Sequence, residues 1–169
     1  MIANPWLAGP APTNKLTHDR LTERILNLLS SQNMCVLATS GPNGPLATPM
    51  HYDNHELTIF MTARAGSPKL RNIANDPRVS VGIFAPLVGE ASSRGAQLFG
   101  RAEILVPGDD GFDEGMTIYR WQPSAIERGR SLDVVPQNPI VRLTADRIVY
   151  TEHWLRREGF APRQTWRRR

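Results

Sequence analysis

Thr62, Arg64, Ser67 and Lys69 lie within the segment FMTARAGSPKLRNIANDPR, at positions 60–78, and their types and spacing suit the capture of an anion. Ser67 is a good helix N-cap, and Pro68 suits the first helical position, where a missing N–H costs nothing. A helix starting there aims unpaired N–H groups and about half a positive charge at the same point as the two hydroxyls and two cations. So many donors suit a phosphate dianion better than a carboxylate. The chain carries 18 Arg but two Lys, so a lysine at position 69 departs from background usage. A plain strand-to-helix connection with solvated charges is the competing reading, and the local pattern leaves both open.

The elements that position this turn can be read from either side of it. Leu57 to Thr62 is an apolar strand leading in, and the helix leading out stops at Asn75-Asp76-Pro77, because the residue before a proline is driven from the α region. Upstream, residues 1–16 with Pro5, Pro10 and Pro12 read as an extended arm. Thr17 to Ser31 reads as a helix with Leu21, Ile25, Leu28 and Leu29 on one face. Met34 to Thr39 and Leu46 to Tyr52 read as strands around the turn Ser40 to Pro45. With Leu57 to Thr62 they form an expected three-strand meander. Pro49 cannot donate to a ladder, which places its strand at an edge or breaks it there.

Downstream, Val79 to Phe84 and Gly95 to Val106 read as strands, with Gly100 marking a bulge or a close backbone approach. A helical insertion follows to about Arg130, interrupted at Gln122-Pro123, and Ile140 to Leu143 and Arg147 to Thr151 read as two last strands. The fold class is therefore mainly β, a small barrel with flanking helices. Its expected organisation is an arm (1–16), the barrel domain (17–152) and a basic tail (153–169). A barrel this small has little interior for a ligand, so a site belongs on its surface or between subunits.

Composition narrows the function classes. The formal charge is +4, but six Arg and one Glu after Glu152 account for +5 of it, so the body is near neutral. A solvated or partner-docked tail is favoured over a nucleic-acid surface. No apolar run is long enough to span a membrane, and the start lacks the apolar stretch of a signal peptide. With Cys35 as the single cysteine, a cytoplasmic home is expected. His51 and His55 are four apart on a strand and turn, so they do not share a face as a helical metal pair would, and no metal is expected. Asp109, Asp110, Asp113 and Glu114 suit a helix start. Trp121 divides between core packing and the lid of a cleft.

The segments LATPMHYDNHELTIFMTARAGSPKLRNIANDPRVSV and LFGRAEIL, in this order of elements, resemble the pyridoxamine 5′-phosphate oxidase-like, flavin-binding split-barrel family over about Thr17 to Val106. The resemblance implies a six-stranded split β-barrel that forms a homodimer, with flavin mononucleotide (FMN) in each of two clefts at the interface. In that family the strand corresponding to Leu46–His51 lines the isoalloxazine, largely with backbone groups. That implies such a role for Thr48, Pro49, Met50 and His51, and it gives Pro49 a reason.

The family's Thr-x-x-x-Gly-Ser-Arg-Lys phosphate motif corresponds to Thr62 through Lys69, with one extra residue before the glycine and Pro68 in place of the usual basic residue. Arg64 is then placed to supply the missing guanidinium. Gln97 or Arg101 is the matching contribution from a second subunit. The true oxidases end in an aromatic-Trp-Gln-Gly stretch and an Arg-Leu-His substrate motif, where this chain has IVYTEHWLRREGF, with Trp154, Arg156 and Arg157 in that region. The implied function is an FMN-dependent oxidoreductase acting on some other small molecule, with a nicotinamide cofactor as candidate electron donor. A reductase of the same fold using the deazaflavin F420, whose added charge would suit Arg64, Lys69 and the basic tail, is the alternative. A non-catalytic flavin- or haem-binding module is the third reading.

Overall fold

A computed structural model of the chain describes residues 5–169. The first four positions of the expected arm lie outside the described residues. Its remainder holds one helical turn, α1 (Pro5–Ala8), followed by irregular chain to Thr17. Helix α2 (His18–Ser31) starts where Thr17 caps it, the hydroxyl accepting from the Arg20 N–H at 3.4 Å. Leu21, Ile25, Leu28 and Leu29 are all buried, as their spacing requires. Each such side chain contributes roughly 2 kcal/mol by leaving water.

Strands β1 (Met34–Gly41) and β2 (Gly44–His51) form a hairpin in continuous register, from Met34 opposite His51 to Gly41 opposite Gly44. After Tyr52 come β3 (Asp53–His55) and β4 (Thr58–Thr62), then α3 (Pro68–Asn75), β5 (Arg78–Phe84) and β6 (Arg94–Leu105). Helices α4 (Phe112–Tyr119) and α5 (Gln122–Glu127) precede β7 (Ile140–Glu152) and β8 (Arg163–Arg167). The antiparallel sheet runs β2-β1-β5-β6-β7-β4-β3, with β8 also on β7.

That order corrects the expected meander, because β4 pairs with β7 and not with β2. It also dictates the curl. Six inter-strand gaps of ~4.8 Å would make a flat sheet roughly 29 Å wide from β2 to β3. Yet the two edge strands are joined through one residue, Tyr52, and two peptide steps reach only about 7 Å. The sheet must therefore bend into a half-barrel whose edges approach without pairing. Tyr52 fastens that seam: its N–H donates to Asn33 O at 2.9 Å and its hydroxyl to Leu29 O at 2.7 Å. Burial pushes the Tyr52 phenol well above its ordinary pKa. Pro49 faces Val36 on this edge strand, where no second neighbour needs its missing N–H.

Gly100 meets both expectations held for it. The β6–β7 register shifts at Phe99/Gly100, and a Cβ on Gly100 would lie 2.6 Å from Thr144 O. The same bulge leaves Asp146 unpaired on β7, so the two strands expected between 140 and 151 are one strand with an interruption. The basic tail also differs from the expected terminus. Residues 163–167 pair with Arg147–Thr151 of β7, burying Gln164 and Trp166 and leaving the arginines outward.

The main core lies between α2 and the concave side of the sheet, around Leu28, Leu37, Ile59, Leu98, Leu143 and Tyr150. A smaller one, with Phe60, Leu105, Phe112, Met116, Trp121, Ala125 and Ile140, seats α4 and α5 at the end of β4. Among the described residues no helix is long and apolar enough to cross a membrane.

Candidate cofactor site

At the end of β4 the Ala63 N–H donates to Pro139 O at 3.0 Å, prolonging the contact with the start of β7. The chain then turns sharply. The Ser67 N–H donates to Arg64 O at 3.1 Å, and Gly66, with φ +71°, occupies the third position of the turn, where positive φ favours glycine. The Arg71 guanidinium folds back onto Gly66 O and closes the turn from the helix side.

Ser67 takes the N-cap conformation expected of it, with φ −65° and ψ 152° and Pro68 at the helix start. Its hydroxyl, however, makes no capping bond, and Ser67 Oγ is shielded from solvent without a hydrogen-bond partner. A buried hydroxyl left unsatisfied costs about 1–3 kcal/mol, so Ser67 Oγ has hydrogen-bonding capacity that the protomer does not use. Lys69 is half-buried in the first turn of α3 and Arg64 is exposed. Among the described residues neither forms an ion pair, whereas the nearby Arg78 is taken up by Asp76, whose carboxyl it holds down to about 2. The donor set fits a phosphate monoester: two free cations, a helix N-terminus, the Thr62 hydroxyl and one orphaned hydroxyl.

The position of α3 is set from below. Leu70 and Ile73 enter the core, and Asn72, buried, donates through Nδ2 to Thr39 Oγ1 of β1 at 3.1 Å. The contact requires glycine at position 41, since a Cβ there would sit 2.1 Å from Asn72 Oδ1.

The other expected residues divide in two. On β2, Thr48 is half-buried, Pro49 and His51 are exposed, and Met50 points into the core, leaving only its backbone for the outer side. Since β2 has one neighbour, half of its N–H and C=O groups face the seam of the barrel. His51 meets the ring of Tyr119 edge-on at 5.2 Å, so α4 reaches the β2 edge. Gln97 and Arg101 are exposed on β6. The register Pro49–Val36–Gly82–Gln97 puts three strand gaps, roughly 14 Å, between β2 and β6. Within one protomer Gln97 therefore stands well away from the Thr48–His51 edge of β2.

A cavity of about 590 Å³ opens beside the turn, between Thr62 and Arg64 on one side and α4, α5 and residues 128–138 on the other. Trp121 is both floor and core here, buried in the smaller cluster and lining the cavity. Arg128 and Arg130 also line it, and neither is among the residues expected from the sequence. The available signal was two arginines two apart, immediately after a helical stretch and before an apolar, irregular one. Arg120, just past α4, donates through Nε to the buried Asp53 at 2.7 Å, while the other oxygen of Asp53 has no partner. Cys35 lies in the barrel core against Met61, and burial pushes its thiol up to about 12.

A curled antiparallel sheet with flanking helices, whose edge strands approach without pairing, defines a split barrel. The model of the pyridoxamine 5′-phosphate oxidase family matches residues 21–152, and the chain belongs to that family. No curated protein matches it. Among solved structures it is similar to a heme-binding protein from Mycobacterium smegmatis, with a TM-score of 0.67 and 20% identity over 92% of this chain and 60% of that one. General stress protein 26 from Bacillus anthracis aligns with a TM-score of 0.61 and 20% identity, over 78% of this chain and 93% of that one. A FAD-binding protein from Mesorhizobium loti aligns with a TM-score of 0.59 and 16% identity, over 82% and 95%. At these identities the likeness is one of fold.

Proposed function

We propose that the chain is an FMN-dependent oxidoreductase acting on a small molecule, and that it works as a homodimer in a reducing, cytoplasmic compartment. The observation that carries the reading is the shielded, unpartnered Ser67 hydroxyl at the start of α3, flanked by unpaired Arg64 and Lys69. Ser67, Lys69, Arg64 and Thr62 hold the phosphate. The free backbone edge of β2 at Thr48 to His51 receives the ring system, and Tyr119 against His51 marks the end of that track. Bound flavin supplies hydride chemistry that the side chains themselves lack. The protein's part is to bind, orient and exclude water.

The dimer rests on the outer face of the sheet. Val36 and Ala38 of β1, Ala47 and Pro49 of β2, and Ser80 and Gly82 of β5 give it a surface of mostly small residues, half-buried to exposed. A second copy there can approach closely and carry its Gln97 and Arg101 to the cleft of the first. The basic tail does not bear on the cofactor within a protomer: β8 is laid along 147–151 of β7, while the turn lies by residue 140.

The absorption spectrum of freshly purified protein, with titration of the stripped protein by FMN and by F420, tests the reading. Retained flavin and saturable FMN binding are expected, and bleaching by a nicotinamide donor with recovery on a small-molecule acceptor marks an enzyme. Binding of F420 alone overturns the cofactor assignment. Tight FMN binding without turnover makes the protein a binding module.

A further inference from the structure

The cavity beside the turn has the composition of a second ligand site. Three of its lining residues are Arg64, Arg128 and Arg130, and no Asp or Glu lines it. This is not the general character of the insertion, which begins with Asp109, Asp110, Asp113 and Glu114, none of them lining the cavity. Asp133, the acid nearest the rim in sequence, accepts from Ser131 Oγ at 3.1 Å. Among the described residues Arg128 and Arg130 form no ion pair. The rest of the lining includes apolar Met116, Trp121 and Ala125, and exposed Val134 and Val135. A volume of about 590 Å³ falls within the span of small-molecule pockets.

We propose that this cavity binds the second ligand, a small molecule with a flat apolar body and an anionic tip. The body lies on Trp121 and Met116, and the carboxylate or phosphate is held by Arg128 and Arg130. Planar guanidiniums suit either anion. The assignment rests on reading the Ser67 turn as the cofactor's phosphate site: with that turn filled, Arg64 is engaged there and the cavity remains for the partner molecule.

Calorimetric titration of the FMN-loaded protein with 1-naphthyl phosphate, 1-naphthoate and neutral 1-naphthol tests it. Both anions are expected to bind at least about tenfold more tightly than naphthol, the worth of a charge-assisted contact. R128A/R130A should erase that preference and R128K/R130K should retain part of it, with FMN affinity unchanged in both. Charge-blind binding, a preference that survives R128A/R130A, or displacement of FMN by naphthyl phosphate would overturn the proposal. If the protein binds no FMN, the same titration on the cofactor-free chain still decides. Anion binding lost in R128A/R130A keeps the pocket and rejects the cofactor reading, whereas loss only in S67A/K69A rejects the pocket.

Discussion

The β4–α3 turn and the insertion between β6 and β7 face each other across one cavity, yet they are held in place by different means. The turn is fixed by two main-chain bonds, Ser67 N–H to Arg64 O and Ala63 N–H to Pro139 O, with the Arg71 guanidinium closing it on Gly66 O. Its helix is tied to the barrel through Asn72 and Thr39. The insertion is seated by a small apolar cluster and the Arg120–Asp53 pair, and it leaves Ile126, Leu132 and Val134 exposed. On the proposed reading, an anion arriving at the turn would meet main-chain donors already in position, at little ordering cost. The insertion, held by side chains, is the wall whose composition can change without disturbing the barrel.

Breaking the turn chemically should have the largest effect. R64A/K69A removes two charge-assisted contacts, each worth about 1.5–3 kcal/mol, so FMN affinity should fall by about 100-fold or more. The thermal midpoint of the cofactor-free protein should stay the same, since neither side chain is paired. Unchanged affinity in that variant would remove the turn from the site. Breaking the support beneath the turn is next. Gly41→Ala forces Asn72 from Thr39, and a stability loss of about 1–3 kcal/mol in a denaturant titration is expected, together with weaker FMN binding.

On the other wall, Arg120→Ala leaves the Asp53 carboxylate buried without its cation. Because Arg120 is itself largely exposed, the cost should be only about 1–2 kcal/mol, with FMN affinity nearly intact. An equal loss of affinity there would mean that the two regions are not separable. The smallest change sharpens the contrast most. Ser67→Ala removes a hydroxyl that forms no bond within the protomer, so the cofactor-free protein should lose no stability while FMN binding weakens several-fold, by about 1 kcal/mol. A fall in stability would show that the hydroxyl serves the helix.

The conformation of the turn was legible in the sequence because its cues are local: an N-cap, a proline and a glycine within one short stretch. The same holds for Pro49 at an edge and Gly100 at a bulge, where a residue's own backbone limits dictate its surroundings. Pairing across the chain was not legible. Nothing near Thr62 says that β4 lies against β7, and Asp146, the unpaired bulge residue, made one strand read as two. The segment Arg163-Gln164-Thr165-Trp166-Arg167 does alternate inward and outward, but its arginines outweighed that pattern. Arg128 and Arg130 reach the cavity through an irregular segment without a period, so only the folded chain brings them to Arg64.

Titration of the stripped protein with FMN and with riboflavin tests the phosphate assignment most directly, because the two ligands differ only in the group that the turn is said to hold. Charge-assisted contacts from Arg64, Lys69 and the start of α3 should make FMN bind at least about 100-fold more tightly, a difference that vanishes in R64A/K69A. Equal affinity for the two would contradict it, and the turn would then be only a connection between a strand and a helix.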